Sequence, residues 1–233
     1  MHYLYGLLAI VVAYLIGSLS FAVIVSRGFG LADPRSYGSG NPGATNVLRS
    51  GHRGAAVLTL AFDALKGWLP VFAVLVYGPR FGLGEGAAAA AGLAAFAGHL
   101  WPVFFRLRGG KGVATAAGVL LALNPWLGAA TLLTWLIIAA FFRYASLASV
   151  VAAVFAPFYQ LLIWGLTPAL PAIVAMSLLL LWRHQGNLRK LLAGTESRLG
   201  AKAPATGGPT PRHPIKRPAP VARPAARGAR KGR

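Results

Sequence analysis

The 233-residue chain has no cysteine and only four acidic residues: Asp33, Asp63, Glu85 and Glu196. The lack of cysteine excludes a disulfide framework, a thiolate metal site, a cysteine nucleophile and an acyl thioester carried on the chain. Four carboxylates offer few ligands to a hard cation, and no group of residues has the spacing of a zinc site. We therefore expect neither a metal nor another cofactor.

Positive charge and apolar residues are abundant. The chain has 23 lysines and arginines, a formal net charge of +19 and a hydrophobic fraction of 56%. A soluble domain is about 45–50% apolar and about 25% charged, whereas this chain is 12% charged. An average cytosolic domain is therefore excluded, and so is a fully disordered chain, which would lack this much apolar surface.

Residues 201–233 differ from the preceding domain, residues 1–200. They contain nine bases, seven prolines, no acid and no aromatic residue. This composition predicts a disordered basic tail. Without aromatic side chains on which bases could stack, we do not expect a nucleic-acid partner. The tail is instead predicted to lie against anionic lipid, where each nearby base contributes about 1 kcal/mol.

Long uncharged runs predict an all-α integral membrane protein. Residues 3–26 are uncharged, and at about 1.5 Å per residue this run exceeds the roughly 30 Å hydrocarbon core. The runs 112–142 and 144–182 are too long for one helix each, so we expect breaks at Asn124-Pro125 and near Gly165–Pro168. With 54–78 and 86–105, this gives about seven transmembrane helices, of which the fourth, about 112–123, is short.

The basic residues of the predicted loops indicate the orientation of these helices. If the N-terminus lies outside, twelve loop bases fall on the inner side, and only Arg80 falls on the outer side. Basic residues accumulate in cytoplasmic loops, so this asymmetry favours an outer N-terminus and a cytoplasmic C-terminus.

The first inner loop, residues 37–46, reads YGSGNPGATN. Its glycines can turn successive backbone N–H groups toward one point, and its hydroxyl and amide groups add donors, as in an anion-binding nest. Arg49 follows one helical turn after Asn46 and can add a guanidinium fork. The alternative is an ordinary flexible loop between two spans.

The third inner loop, residues 106–115, reads RLRGGKGVAT and leads directly into a predicted helix. Glycine N–H groups, a helix N-terminus and the point charge of Lys111 together attract phosphate. The spacing is not that of a Walker A motif and no strand precedes the loop, so an NTPase is not expected. The alternative for Arg106 and Arg108 is a positive-inside anchor.

A third polar segment follows the last span and reads RHQGNLRK over residues 183–190, then Gly194-Thr195-Glu196. His184 and Asn187 lie three residues apart and face the same way on a helical turn. His184 could act as a base or as a hydrogen-bond donor to phosphate. The alternative for this segment is that its basic cluster anchors the chain at the membrane interface.

Three more polar residues fall inside predicted spans. Asp63 and Lys66 lie three apart, and because an unpaired charge in the bilayer is costly they should pair with each other or face a polar site. His99 lies near the inner end of the third span, where it either orients a loop or lies at the membrane interface beside Trp101.

Taken together, these segments resemble the bacterial membrane-bound acyl-phosphate:glycerol-3-phosphate 1-acyltransferase family. The resemblance covers about residues 5–198 and is carried by the three polar segments in order, 38–46, 98–114 and 183–196. Residues 63–67 and 143–149 also look like family positions.

The resemblance implies transfer of a fatty acyl group from acyl phosphate to the 1-hydroxyl of glycerol 3-phosphate, the first step of phospholipid synthesis. The products would be lysophosphatidic acid and inorganic phosphate. It further implies a multi-pass protein of the bacterial inner membrane with its active site on the cytoplasmic face. The acyl chain would remain in the bilayer between spans. The sequence gives no indication of the oligomeric state.

The resemblance also assigns roles to residues. The catalytic set is Ser39, Lys111, His184 and Asn187, with Asp63, Lys66 and His99 as supporting residues. Lys111 would stabilise the departing phosphate, and the hydroxyl proton would pass either to substrate phosphate or to His184. The expected substrate-binding residues are Gly40, Asn41, Thr45, Asn46, Arg49, Gly109, Gly110, Gly112, Ser149 and Glu196.

A membrane transporter for phosphate or another anion is the alternative function. Spans, glycines and bases can line an anion pathway. Against this, the bases gather on one membrane face instead of along the spans, and no inverted repeat is evident.

Overall fold

The computed structural model describes residues 2–201, and the regular elements of this range are helical. The predicted tail 201–233 therefore lies, apart from its first residue, outside the described residues. The α-helices are α1 (His2–Gly17), α2 (Phe21–Gly28), α3 (Ala44–Leu48), α4 (Arg53–Tyr77), α5 (Glu85–Leu100), α6 (Val113–Leu123), α7 (Pro125–Phe142), α8 (Ala145–Tyr159), α9 (Leu170–Arg183) and α10 (Gln185–Leu192).

Each of the seven predicted spans contains helix. Four segments of the described chain are long and apolar enough to cross a membrane: Arg53–Phe81, Glu85–Phe105, Pro125–Phe142 and Ala145–Trp164. The pair α1 and α2, bent by 40°, would make a fifth. Helices α6 and α9 have 11 and 14 residues, about 16 and 21 Å, which is short of the roughly 30 Å hydrocarbon core. An all-helical membrane protein is confirmed, and the count of seven stays a prediction.

The two predicted breaks are present. Asn124 separates α6 from α7, and its side-chain oxygen accepts the backbone N–H groups of Trp126 and Leu127 at 3.0 and 3.2 Å. Pro125 is then the first residue of α7, where its missing N–H costs no hydrogen bond. The second break lies between Gly165 and α9, after a short π-helical turn at Gln160–Trp164.

Glycine allows the central helices to approach each other closely. A Cβ on Gly17 of α1 would collide with the backbone of Ala95 in α5. A Cβ on Gly67 of α4 would likewise collide with Thr115 of α6. Such contacts between small residues are the usual means by which membrane helices associate. They fix α5 and α6 against α1 and α4, and so hold both ends of the loop 101–112.

Candidate active site

The three polar segments lie together at one end of the helices. Lys111 Nζ donates to Asn187 Oδ1 at 2.6 Å, which joins the loop 101–112 to α10. Arg183 donates to the carbonyl oxygens of Gly109 and Gly110, both at 2.9 Å. Gly110 also lies so close to the carbonyl of Pro42 that a Cβ would approach it to 2.8 Å. The expectation that these segments share one site is consistent with this arrangement.

The first polar loop is organised by Asn46. Its side chain is buried; Oδ1 accepts the N–H of Ser39 at 3.0 Å, and Nδ2 donates to the carbonyls of Pro34 and Tyr37 at 2.6 and 3.1 Å. The Gly40 N–H is bonded to Tyr37 as well, at 2.9 Å. The prediction that the backbone N–H groups of Ser39 and Gly40 form an anion-binding nest is therefore corrected, because both groups are hydrogen-bonded within the loop. The amide of Asn46 holds the shape of the loop, and Asn46 also borders the larger cavity.

The exposed side chain of Ser39 and the partly exposed side chain of Asn41 remain directed to the pocket described below. Thr45 is exposed on α3, and both Thr45 and Arg49 line the larger of two cavities. The Arg49 guanidinium also donates to Ser197 Oγ, so it connects the first loop to the segment after α10.

Gly112 sets the geometry of the second loop. Its φ of +84° is a backbone conformation that residues with a side chain rarely adopt, and a Cβ there would collide with the ring of Phe96. Gly112 caps α6, so the positive end of that helix dipole lies next to Lys111. The expected helix N-terminus beside a lysine is therefore present.

Lys111 is held in an environment that weakens its hold on a proton. Burial lowers its pKa to about 8, and the positive charges of Arg49, Lys190 and Arg183 act in the same direction. The carboxylate of Glu196 opposes them. With a pKa near 8, roughly nine-tenths of the lysine is protonated at pH 7.

Glu196 lines the larger cavity, but its carboxylate is engaged by two neighbouring side chains. Its Oε1 accepts from Ser146 Oγ at 2.8 Å and from Asn187 Nδ2 at 2.7 Å. Because Asn187 in turn accepts from Lys111, a hydrogen-bonded chain runs from Ser146 to the lysine ammonium. Its carboxylate is thus used to orient Asn187, whereas beside a bound phosphate it would be repelled.

His184 is almost completely buried, with an exposed fraction of 2%. Its Nδ1 lies 2.8 Å from the carbonyl of Leu180, so Nδ1 carries the proton and Nε2 the lone pair. Burial, together with the positive charge of Lys111, lowers the pKa of His184 to about 4. At neutral pH this histidine is an uncharged and weak base.

Ser149 lies one turn inside α8. Its hydroxyl donates to the carbonyl of Ala145 at 2.7 Å and accepts the indole N–H of Trp135 at 3.0 Å. Ser149 and Trp135 line the larger cavity together with His184.

Two cavities meet at this site. The smaller, of about 340 Å³, is polar and is lined by Ser39, Gly40, Asn41, Gly109, Lys111, Arg183, Gly186, Asn187 and Lys190. The larger, of about 920 Å³, extends between α4, α6, α7, α8 and α9 and is mostly apolar. Four of the described residues border both: Ser39, Asn41, Lys111 and Asn187. An amphipathic molecule can therefore place a charged end in the first cavity and an apolar chain in the second.

Sequence reasoning treated Arg183, Lys190 and Ser146 as anchors or neighbours instead of site residues. Arg183 ends an apolar helix, which is typical of an interfacial anchor, yet its guanidinium clamps the glycine loop. The feature of the sequence that could have identified Arg183 as a site residue is its position directly before His184.

The supporting residues also lie together. Lys66 Nζ is 2.8 Å from Asp63 Oδ1, and both side chains are buried within α4, so the predicted pairing is confirmed. His99 is buried beside them, and its carbonyl accepts the N–H of Gly110 at 3.1 Å. Of the two alternatives for His99, orientation of a loop agrees with this contact.

Comparison with known proteins identifies the family. A family model described as "Glycerol-3-phosphate acyltransferase" matches residues 7–194. A glycerol-3-phosphate acyltransferase of Paraburkholderia phytofirmans is 64% identical over 88% of this chain and 96% of its own length. Another, of Ralstonia nicotianae, is 64% identical over 84% of this chain and 95% of its own.

Solved structures give the same result. The crystal structure of PlsY (YgiH), an integral membrane glycerol 3-phosphate acyltransferase, in its glycerol 3-phosphate form, matches with a TM-score of 0.77 and 37% identity. It covers 83% of this chain and 95% of the PlsY chain. The lysophosphatidic acid form of the same enzyme matches with a TM-score of 0.75 and 36% identity.

The apolar helices define an integral membrane protein, and its basic, glycine-lined pocket opens to an apolar cavity. More particularly, the chain belongs to the glycerol-3-phosphate acyltransferase family and is an acyltransferase of phospholipid synthesis. The family resemblance and the enzyme class predicted from the sequence are confirmed.

Proposed function

We propose that this enzyme transfers a fatty acyl group from acyl phosphate to the 1-hydroxyl of glycerol 3-phosphate. The observation that carries the proposal is the junction of the two cavities at Ser39, Asn41, Lys111 and Asn187. A fatty acyl phosphate has a dianionic head and an apolar chain, which match the polar and apolar cavities in turn. The related PlsY was captured in glycerol 3-phosphate and lysophosphatidic acid forms, which are the acceptor and product of this reaction.

The charges that border the cavities suit two phosphate substrates. Two doubly charged phosphate groups bring about four negative charges at neutral pH. Within the described residues, two acids line the cavities, Asp63 and Glu196, and both are engaged with neighbouring side chains. The basic residues of the described chain that line the cavities are Arg49, Arg53, Lys111, Arg183, Lys190 and Arg198.

In the proposed step, the glycerol hydroxyl oxygen attacks the acyl carbonyl carbon. A new ester C–O bond forms, and the bond from the carbonyl carbon to the phosphate oxygen breaks. The departing phosphate takes the electron pair of that bond, and the Lys111 ammonium stabilises its charge. One such donor typically contributes a few kcal/mol to a transition state.

Substrate phosphate is the proposed acceptor of the hydroxyl proton. Acyl phosphate has a good leaving group, so the hydroxyl needs little activation. His184 is a poor alternative, because its pKa of about 4 leaves little driving force for taking a proton at pH 7. We assign to its free Nε2, with Ser149, Arg49 and Asn187, the role of holding glycerol 3-phosphate.

The membrane arrangement is part of the proposal. We infer seven crossing segments, with the N-terminus outside, the active site and C-terminus on the cytoplasmic side, and the protein in the inner membrane. The concentration of bases at the site end supports this. Since the chain has no cysteine, an impermeant thiol reagent can test single-cysteine variants in intact cells. Labelling of Arg80→Cys but not Ser36→Cys is expected, and the reverse pattern would overturn the orientation.

Variants of Lys111 test the site. Lys111→Ala and Ser39→Ala should nearly abolish acyl transfer from acyl phosphate by purified protein that still inserts into membranes. Arg108→Ala is the matched control, because it removes an exposed base of the same loop that lines neither cavity. Near-wild-type turnover of Lys111→Ala or Ser39→Ala would overturn this assignment.

A further inference from the structure

A buried polar cluster lies in the membrane-spanning part of the protein, beneath the glycine loop. It consists of Asp63 and Lys66 of α4, His99 of α5 and Thr115 of α6, with exposed fractions of 2%, 3%, 7% and 0%. Charged and polar groups at this depth are costly, so their arrangement calls for a physical explanation.

One side of the cluster is an ion pair that is complete without His99. Lys66 Nζ lies 2.8 Å from Asp63 Oδ1 and donates to the carbonyl of Leu19 at 2.7 Å. Leu19 belongs to the break between α1 and α2. The ammonium of Lys66 is thus neutralised by its neighbour in α4 and also fixes the bend in the first span.

The other side of the cluster faces the active site. His99 Nδ1 lies 3.6 Å from Asp63 Oδ1 and 3.2 Å from Thr115 Oγ1. The Thr115 contact is within hydrogen-bond range and fixes the imidazole against α6. The Asp63 carboxylate lies beside the same ring nitrogen, beyond hydrogen-bond range, so it acts on the ring through its charge. Asp63 therefore has two neighbours, Lys66 and His99, of which only Lys66 is needed for charge balance.

His99 is also the residue on which the glycine loop rests. Its carbonyl accepts the N–H of Gly110 at 3.1 Å, and a Cβ on Gly110 would collide with His99 Nε2. From the opposite side, Arg183 donates to the carbonyls of Gly109 and Gly110. The loop is clamped between the backbone carbonyl and ring of His99 on one side and the Arg183 guanidinium on the other, and Lys111 is the next residue along the chain.

We propose that Asp63, Lys66 and His99 act as one positioning unit that fixes the Gly109-Gly110 backbone and thereby the ammonium of Lys111. The inference rests on the proposed role of Lys111. None of the three residues has to touch a reacting atom. Their effect is geometric, since a misplacement of about 1 Å can lower a rate about a hundredfold.

A structural ion pair and a positioning unit make different predictions for the double variant Asp63→Asn/Lys66→Met. This variant removes both buried charges together, so the cost of one unpaired charge does not arise. We expect it to insert, with its thermal midpoint lowered only by the loss of the single bond from Lys66 to the Leu19 carbonyl. Its kcat with acyl phosphate should fall at least about tenfold, because the carboxylate beside His99 is gone. The KM for glycerol 3-phosphate should change less than about twofold, because the groups proposed to bind it are unaltered.

A double variant with wild-type kcat would overturn the inference. Lys111→Ala, measured in parallel, separates this failure from failure of the proposed function. An active Lys111→Ala refutes the role of Lys111, whereas an inactive Lys111→Ala beside a fully active double variant refutes only the positioning unit.

A second pair of variants decides the matter if the double variant does not insert. His99→Asn keeps an amide near the position of Nδ1, within reach of Asp63 and Thr115, whereas His99→Leu does not. We expect kcat to be at least about fivefold higher for His99→Asn than for His99→Leu, which is about the factor that one retained hydrogen bond contributes. Equal kcat values for the two variants would overturn the inference.

Discussion

At the scale of single residues, the site joins two side chains whose pKa values are shifted in the same direction by burial. Lys111 has its pKa lowered to about 8 and stays mostly protonated at pH 7, so it can stabilise a phosphate. His184 has its pKa lowered to about 4 and stays neutral with its proton on Nδ1, so Nε2 can accept a hydrogen bond without adding charge. Their different tasks follow from their different unshifted pKa values.

The pKa of Lys111 predicts an alkaline limit to activity. The active form is protonated, so kcat/KM for acyl phosphate should fall as the pH rises through about 8. Initial rates of lysophosphatidic acid formation between pH 6 and pH 10 would measure this. The control variant Arg108→Ala should show the same decrease of kcat/KM at alkaline pH. A profile that stays flat to pH 10 in the wild-type enzyme would contradict the assignment.

His184→Asn distinguishes the two proton acceptors. If substrate phosphate takes the proton, the variant should keep kcat within about tenfold of wild type and show a raised KM for glycerol 3-phosphate. A general base contributes about 10²–10⁴ to a rate, so a loss of kcat greater than a hundredfold would show that His184 is the base. Steady-state kinetics with saturating acyl phosphate would measure both constants.

Part of the residue-level site was open to prediction from sequence. Lys111 between glycines, Asn187 one turn after His184, and the loop around Ser39 were identified by residue type and spacing. The tasks of Asn46 and Glu196 were not, because residue type does not reveal a partner. Glu196 bonds to Ser146, fifty residues away, and only the packing of α8 against the segment after α10 brings them together.

At the scale of elements, helix breaks were more predictable than helix lengths. Asn124-Pro125 and Gly165 act through local sterics and capping, so both breaks are readable from the chain. The short α6 and α9 have the composition of spans but only 11 and 14 residues. Their ends depend on the neighbouring loops that close the site, which hydropathy does not record.

Helix α8 provides a test of where the acyl chain lies. Ala153 lines the large cavity four residues beyond Ser149, about 6 Å farther along the helix. Ala153→Phe should obstruct the cavity at that depth and disfavour long chains by about 1–3 kcal/mol relative to short ones. The measurement is the ratio of kcat/KM for a long-chain and a short-chain acyl phosphate.

Val154→Phe is the control for this substitution. Val154 lies next to Ala153 in sequence but is 52% exposed and lines neither cavity. The control should keep the wild-type ratio. An unchanged ratio in Ala153→Phe would place the acyl chain outside this cavity.

At the scale of the whole molecule, charge separates into two parts. Nine of the bases belong to residues 201–233, and much of the remainder gathers around the site. The segment that precedes the tail is bonded to the described chain: the Leu199 N–H donates to the Arg143 carbonyl at 2.6 Å, and Arg49 donates to Ser197. The segment from Gly194 to Leu199 is therefore held by contacts that a shortened chain would keep.

Removal of residues 201–233 should accordingly leave catalysis intact. A chain ending at Gly200 keeps every described residue that lines the two cavities. We expect kcat within about twofold of the full-length enzyme, the size of effect typical of changes remote from a site. Complete loss of activity in a truncated protein that inserts normally would show that the tail takes part in the reaction.

The donor is the central claim, and a direct comparison of donors tests it. Purified enzyme in lipid or detergent would receive glycerol 3-phosphate with acyl phosphate, or with an acyl thioester of the same chain length, and lysophosphatidic acid would be measured over time. Lys111→Ala serves as the blank. The account predicts product and an equal amount of inorganic phosphate from acyl phosphate, and no product above the blank from the thioester. Efficient transfer from the thioester, with acyl phosphate inactive, would contradict it.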